Sequence, residues 1–490
     1  MKLFITTYLI FLILILPFEK DFCTTKILTL DECIKIALEK SYSIKYLNHS
    51  IERQKERVKA IRSGLKSNAH INFYLPSYNL ESEEVFDSED DIFKFVNTRK
   101  NQLLSNLRIN QPIPTNGNFS FNYEFFYETR LENVKNYSNN YFLEFVQPIF
   151  TPNRLQMDIK RAELSLRNTE LDYESRKLNL IYSITNNFYQ LYEQQTLYEI
   201  QIAETEQRKQ AVNNSREKFR KGEIDEFELI QLQVSYYNSE AELNYRKKYL
   251  EKQIGWFKQY IGLFSDDDIR IMPEQEISPE FIDKDAFVQE GLNNSLTLKK
   301  YVTWLEFDKL NIIDADKQSE FKGDITVSIG LDRKNPDFTE SFSHYDKTNS
   351  IVFNFTIPLW DWGRNKAQVA SAKAQKKRVE LLAANTRKSY ERELYESLQT
   401  ADRSLIRYNN LKKSRVTAQK NYDIVLAKFK TGELGVQELE RAQRRLSKAQ
   451  MSYIDSVSDY KTALSNIERQ RKGGSGYVWI YSSDPRVYRR

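Results

Sequence analysis

The sequence predicts an α+β chain made by duplication, each copy a pair of β-strands followed by a very long helical hairpin. Three observations predict it. Subtracting 210 carries Pro358, Arg364, Ala372, Leu381, Lys428, Phe429, Gly432, Glu433, Glu438, Leu439 and Gln443 onto Pro148, Arg154, Ala162, Leu171, Lys218, Phe219, Gly222, Glu223, Glu228, Leu229 and Gln233, an internal repeat. Near the C-terminus, Leu439, Ala442, Leu446, Ala449, Tyr453, Val457, Tyr460, Leu464 and Ile467 alternate steps of three and four, as a coiled-coil seam does. Ile325, Val327, Ile329 and Leu331 alternate with Asp324, Thr326, Ser328 and Gly330, as in a strand with one apolar face.

In chain order, Lys2 followed by the apolar run Leu3 to Leu16 matches an export signal and is too short for a spanning helix. Residues 1–22 are assigned to it, with cleavage between about 17 and 25. Lys20, Asp21 and Phe22 do not suit lipid attachment at Cys23. Cys33, the other cysteine, is expected as a buried helix residue, so no disulfide framework exists. Residues 23–262 form the first repeat. Its opening segment matches the second copy at an offset of 254 (Leu38, Ser41, Ile44 and Lys45 with Leu292, Ser295, Leu298 and Lys299), so the first copy carries 44 extra residues before Pro148. That insertion holds Glu81, Glu83, Glu84, Asp87, Glu89, Asp90 and Asp91, whose spacing lacks the glycine turn of a calcium loop and reads as a solvated loop. The segment from Leu103 to Pro114 has the composition of an additional strand, without an assigned place. Phe119, Phe121, Tyr123 and Phe125, then Tyr141, Leu143 and Phe145, form a strand pair whose aromatics suit lipid contact. Segments 130–139 and 332–349 read as the connecting loops.

No Gly or Pro interrupts the chain from Arg154 to Lys221, which predicts a helix on the order of 100 Å at about 1.5 Å per residue. Gly222 and Gly432 sit where each hairpin must reverse. Residues 263–470 form the second repeat, with strands around Ile325 and around Ile351, Phe353, Phe355 and Ile357. Residues 471–490 form a tail that, after Arg471, opens with the linker-like run Lys472-Gly473-Gly474-Ser475-Gly476.

Composition excludes several classes. A mean hydropathy of −0.64 with 29 % charged residues and no membrane-length apolar run after the N-terminus excludes a helical membrane protein. Net charge is only +5, and Lys and Glu interleave along helices, so no nucleic-acid surface is indicated. His49, His70 and His344 are too scattered for a metal cluster, and no nucleotide loop, zinc-protease helix or nucleophile elbow occurs; no catalytic site, metal or cofactor is expected.

The opening Leu28-Thr29-Leu30-Asp31-Glu32-Cys33-Ile34-Lys35-Ile36-Ala37-Leu38, the strands, Gln147-Pro148-Ile149-Phe150 and a long hairpin, then Ile357-Pro358-Leu359-Trp360-Asp361-Trp362-Gly363-Arg364 and a second hairpin, together resemble the TolC-like outer-membrane efflux and secretion proteins. The likeness spans Leu28 to Arg469. It implies a homotrimer in the bacterial outer membrane, each protomer giving four strands to a 12-stranded β-barrel while its helices form a periplasmic α-helical tunnel. It further implies a passive conduit of a tripartite efflux or type I secretion system, driven by an inner-membrane pump through a periplasmic adaptor (membrane fusion) protein. Physics favours assembly as well: four strands cannot close a barrel, and an open edge in lipid leaves backbone groups unpaired at several kcal/mol each.

By the same resemblance the hairpin tips (Gly222, Glu223, Gly432, Glu433) are where the adaptor docks, and acids just after the tip glycine narrow the periplasmic gate. These fall on Glu438 and, in the first copy, Glu228. The family's second tip acid falls on Arg441 and its latch arginine on Leu434, a departure that puts the usual ionic latch in doubt. Ordinary solvated helix positions are the alternative for both glutamates. Pro148, Pro358 and Gly363 mark the strand-to-helix junction, where Pro starts a helix without losing a donor, and Trp360 and Trp362 are expected as interfacial anchors. The competing reading of the whole chain is an exported structural or adhesive coiled-coil surface protein whose strands form a soluble sheet.

Overall fold

Eight helices among the described residues fall into two matched sets. The structure, a computed structural model, describes residues 26–87, 92–130, 134–264, 268–273, 282–317 and 321–474; the signal segment, Cys23 and the tail beyond 474 lie outside them. Helix α1 (Leu30–Lys40) starts at Thr29, whose hydroxyl accepts from the Glu32 N–H at 3.3 Å while the Glu32 carboxylate accepts from the Thr29 N–H at 2.8 Å, satisfying two donors that a helix start leaves free. It is followed by α2 (Tyr42–Ser63). Their counterparts α5 (Lys284–Asn294) and α6 (Leu296–Lys317) have the same lengths, 11 and 22 residues, at the 254 offset. The long hairpins match residue for residue at 210: α3 (Arg154–Arg220) and α7 (Arg364–Lys430) have 67 residues each, α4 (Glu226–Ile261) and α8 (Val436–Arg471) 36 each.

Among the described residues the chain forms two compact units whose boundaries fall inside α2, α3, α6 and α7, across both repeats: one draws on 26–48, 173–297 and 387–474, the other on 49–172 and 298–386. In the first, the short strands β1 (Lys26–Leu28) and β6 (Ile269–Ile271) pair in parallel. They close a core with Cys33 and Ala37 of α1, Ile184 and Phe188 of α3, and Phe257 and Ile261 of α4. Burial in this core pushes the Cys33 thiol up to about 12, so it packs rather than reacts.

Helix α8 lies between α7 and α3. Its Tyr453 ring sits 5.8 Å from Tyr408 of α7, while on its other side Gln443 donates to Gln207 at 3.1 Å, Ser447 to Glu204 at 2.9 Å and Ser458 to the Tyr189 carbonyl at 3.1 Å. Contact on two sides bends the expected stripe. Leu439, Ala442, Leu446, Ala449, Tyr460 and Ile467 are buried, but in the middle Ile454, Ser456 and Ser458 replace Tyr453 and Val457. The linker reading of residues 472–474 is corrected: Gly473 ends α8 with φ 91°, its carbonyl accepts from the Leu296 N–H at 3.0 Å, and Tyr390 donates to the Gly474 carbonyl at 3.1 Å.

The second unit is built on one antiparallel sheet, in order β2 (Asn68–Asp87), β3 (Ile92–Pro112), β4 (Asn118–Arg130), β5 (Val134–Ile149), β7 (Lys322–Asn335) and β8 (Asp346–Thr356). Four of these are the repeat-derived pairs the sequence predicts. The insertion adds β2 and β3, the latter covering most of the additional strand expected from Leu103 to Pro114, so this sheet holds six strands where the resemblance implies four. Residues 81–87 of the acidic segment belong to β2 rather than to a loop, because β3 supplies a partner along their whole length, from Asp87↔Ile92 onward. The strands also run through much of the segments read as loops: β5 begins at Val134, β7 ends at Asn335 and β8 begins at Asp346.

Candidate functional site

The strand register sorts side chains onto two faces, since neighbours along a strand point to opposite sides and paired residues to the same side. Following the pairs, Ala69, Ile109, Phe121, Leu143 and Ile329 share a row on one face, and Ile71, Leu107, Tyr123, Tyr141 and Leu331 share the next. Stacked cross-strand pairs run along this face, with ring centroids 4.5 Å apart for Phe119 and Phe145, 4.6 Å for Tyr123 and Tyr141 and 4.9 Å for Tyr127 and Tyr137. The opposite face carries the row Asn68, Asn110, Ser120, Glu144, Ser328 and Ser350, along with Arg108, Asn122 and Glu128. Arg108 donates to Asn122 at 2.5 Å and Gln102 to Glu128 at 3.0 Å.

Burial on this sheet is inverted relative to a soluble protein. Lys100, Ser120, Asn122 and Glu128 of the polar face are buried, whereas Phe73, Leu143, Ile329, Ile351 and Phe353 of the apolar face are each more than half exposed. At one end of the apolar face, the loop after β7 folds over it. Phe338 packs edge-on to Phe125 and Tyr137, and Asn139, fully buried there, donates to Ser341 at 2.9 Å.

The junction prolines do not begin helices. Pro148 lies within β5, paired with Asp324, and Pro358 lies between β8 and α7. The turns are made instead by positive-φ residues, Phe150 (62°) in the first copy and Trp362 (55°) with Gly363 (81°) in the second. Helix starts are capped by side chains: Asn153 accepts from the Gln156 N–H at 3.0 Å, and Asp361 from Gly363 and Asn365 at 2.9 and 2.8 Å. Those backbone donors hold the Asp361 carboxyl below its usual range. Trp360 and Trp362 are both strongly exposed.

Each hairpin tip reverses on its glycine. Gly222 (φ 73°) and Gly432 (φ 81°) follow the last helical turn, and the next N–H reaches back to a helix carbonyl, Glu223 to Lys218 at 2.9 Å and Glu433 to Lys428 at 3.0 Å. The two tips then differ. Asp225 caps α4 by accepting from the Glu228 N–H at 2.8 Å, whereas Gly435 starts α8 without a side-chain cap. Glu438 is exposed, Glu228 is half-buried, and exposed Arg441 donates to Gln437 at 3.4 Å. Lys428 and Glu433 approach to 3.8 Å across the second tip. Just behind the tips, Val212, Leu232, Tyr422, Phe429, Leu439 and Leu446 form one core drawn from both hairpins. Phe429 is buried there beneath the Lys218 ammonium at 5.0 Å, while its repeat mate Phe219 is exposed.

Sequence reasoning missed a further asymmetry. Phe227, Ile230, Val234, Tyr237, Tyr245, Tyr249, Trp256 and Tyr260 form an exposed stripe down α4. Their counterparts 210 residues on are Gln437, Glu440, Arg444, Ser447, Asp455, Asp459, Asn466 and Gln470. Comparing the two return helices position by position would have found it.

Residues 317–469 match the family model described as outer membrane efflux protein. No curated protein matches the sequence significantly. Among solved structures, the chain is similar to the CmeC outer membrane channel of Campylobacter jejuni at 15 % identity, covering 91 % of this chain and 86 % of that one with a TM-score of 0.68. It is similar also to the outer membrane protein VceC of Vibrio cholerae (14 % identity, 91 % and 96 %, TM-score 0.67) and to the open-state MtrE outer membrane channel of Neisseria gonorrhoeae (15 % identity, 91 % and 89 %, TM-score 0.66).

Proposed function

Because this chain carries a domain of the outer membrane efflux protein family and has the fold of the TolC-like outer-membrane channels, we propose that it is the outer-membrane conduit of an export assembly, a homotrimer whose sheets close one barrel in lipid. The observation that carries this reading is the inverted burial of the sheet. An exposed apolar face backed by a buried polar one is costly in water and favourable when lipid covers the first and a water-filled lumen the second. The adhesin alternative requires a soluble sheet and leaves Phe353, Ile351 and Ile329 facing water.

A second feature supports assembly. The α4 stripe is apolar where the equivalent face of α8 is polar, and a second copy of the chain is the surface that would cover it. Transport through such a conduit needs no nucleotide or metal of its own; energy comes from an inner-membrane pump reached through a periplasmic adaptor, with the tips around Gly222, Glu223, Gly432 and Glu433 as the docking points. Glu438 and Glu228 supply rings of carboxylate about the threefold axis, which raise the local cation concentration. Arg441, one turn from Glu438, weakens that field and tunes it.

The test is direct. The full chain is expected to extract from outer membranes only with detergent, to run as a trimer and to conduct in planar bilayers; monomeric, water-soluble material without conductance sinks the channel reading. In the same recordings Glu438→Ala should reduce cation preference and Arg441→Ala increase it, and unchanged selectivity in both removes the proposed gate.

A further inference from the structure

We infer that the 44-residue insertion of the first repeat is membrane wall, so that each copy contributes six strands and three copies close a barrel of eighteen, with β2 of one copy pairing with β8 of the next. This rests on the conduit reading and goes beyond it in the strand count, the identity of the joining edges and the width of the pore.

The inserted hairpin is not an appendage beside the sheet. β3 is paired with β4 from Asn101↔Thr129 to Pro112↔Asn118, and β2 is paired with β3 from Asn68↔Asn110 outward, with one bulge between Tyr74 and Ser77. It also carries the same two faces in phase with the rest. Ile71, Phe73, Leu107 and Ile109 continue the apolar rows of β4, β5 and β7, while His70, Asn72, Asn106 and Arg108 continue the polar ones. A solvated surface hairpin has no reason to keep that phase. A strand in a barrel wall must, because slipping by one residue turns every apolar side chain toward water.

Strand ends give a second, independent measure. Asn68, where β2 begins after α2, lies in the row that reaches Ser350 in β8, six residues short of Thr356, where β8 ends ahead of α7. If all the helix-side ends lie at one membrane level, six residues of stagger over five strand spacings gives a tilt of roughly 40° at about 3.4 Å per residue and about 4.8 Å per strand. Membrane barrels tilt by about 35–45°. The inserted strands follow the stagger of a closed wall.

The sheet leaves β2 and β8 as its edges. Both carry exposed apolar residues, Ile71 and Phe73 on one, Ile351, Phe353 and Phe355 on the other. An edge in hydrocarbon must find backbone partners. β2 leads away from the helix-side end and β8 returns to it, so an antiparallel join between copies is natural. Pro76, which lacks an N–H, limits that join to about the first turnless stretch of β2, Asn68 to Tyr74, and β8 with 11 residues is long enough to cover it. Continuing the stagger of about 1.2 residues per strand around the barrel sets His70 of one copy opposite about position 355 of the next, between Asn354 and Thr356 of the same polar face. Barrel diameter grows roughly linearly with strand number, so the wall is about one and a half times as wide as a twelve-stranded one.

Cysteine pairs test the join in full-length protein in outer membranes. His70→Cys combined with Asn354→Cys, or with Val352→Cys or Thr356→Cys to allow a step in register, should give oxidised ladders of dimer and trimer in a background without Cys23 and Cys33. Ser120→Cys with the same β8 positions should give none, since β3 already occupies that side of β4. Strand counting by cryo-electron microscopy of the detergent-solubilised protein should show eighteen, and twelve after deletion of residues 69–112. A trimer with a twelve-stranded wall and the hairpin outside it, cross-linking from Ser120, or a dimer closing twelve strands overturns the inference while leaving a membrane channel standing. A soluble monomer overturns this inference and the conduit reading together.

Discussion

At the scale of single residues, the glycines of this chain do different work, and the difference is measurable. Gly222 sits at φ 73° with open space where a Cβ would go, whereas a Cβ at Gly473, φ 91°, would lie 2.2 Å from the Asn294 carbonyl oxygen. Gly222→Ala therefore meets only left-handed backbone strain, about 1 kcal/mol. Gly473→Ala adds a collision with backbone that cannot step aside and should cost more than about 2 kcal/mol. Thermal melts of the purified variants check the order, and equal losses would contradict it. Gly222 reads in the sequence as a turn residue, and Gly473 reads only as part of a linker-like run. That Gly473 is locked against the start of α6, rather than opening a mobile linker, depends on residues almost 180 positions away and has no local signature.

At the scale of elements, the packed hairpins hold a half-exposed cluster of charge between them. Arg407 of α7 pairs with Asp455 and Asp459 of α8, close to Glu193 of α3. Burial raises the pKa of Glu193, with repulsion from Asp455 and Asp459 adding to it, and burial raises that of Asp459, with Asp455 adding. These carboxyls hold protons more tightly folded than unfolded, so their contribution to stability is greatest below the ordinary carboxylate range and falls as pH rises through the raised values. Arg407→Ala removes the compensating cation. It should lower the melting temperature more at about pH 8 than at about pH 5, where the carboxyls begin to protonate; an equal drop at both pH values would mean that Arg407 acts only by packing. The periodic seam of α8 was legible at Leu439 to Ala449 and at Tyr460 and Ile467. Its middle was not, because α3 and α7 press on two sides of the helix and a single heptad stripe describes only one.

At the scale of the whole molecule, neighbouring residues on β7 make a paired test of which face meets lipid. Ile329 is on the exposed apolar face and Ser328 on the polar one. Ile329→Arg should destabilise the protein in lipid vesicles by about 2–4 kcal/mol and Ser328→Arg by far less, by the depth-dependent cost of arginine on a lipid face. Urea titration of vesicle-reconstituted protein reads both, and the reverse order would place the polar face in the bilayer.

The sequence by itself determined the duplication, the length of both hairpins, the tip glycines and the two-faced strands, because each is written in a local period of two or of three to four, or in a repeat offset of 210. Only the tertiary structure decided that the insertion is a strand pair in phase with the sheet, that the junction turns rest on Phe150 and Trp362 rather than on the prolines, and that α4 wears its aromatics outward. Strand partnership and burial are set by hydrogen bonds and contacts between distant segments, and a chain's local pattern records which face is apolar without recording what covers it.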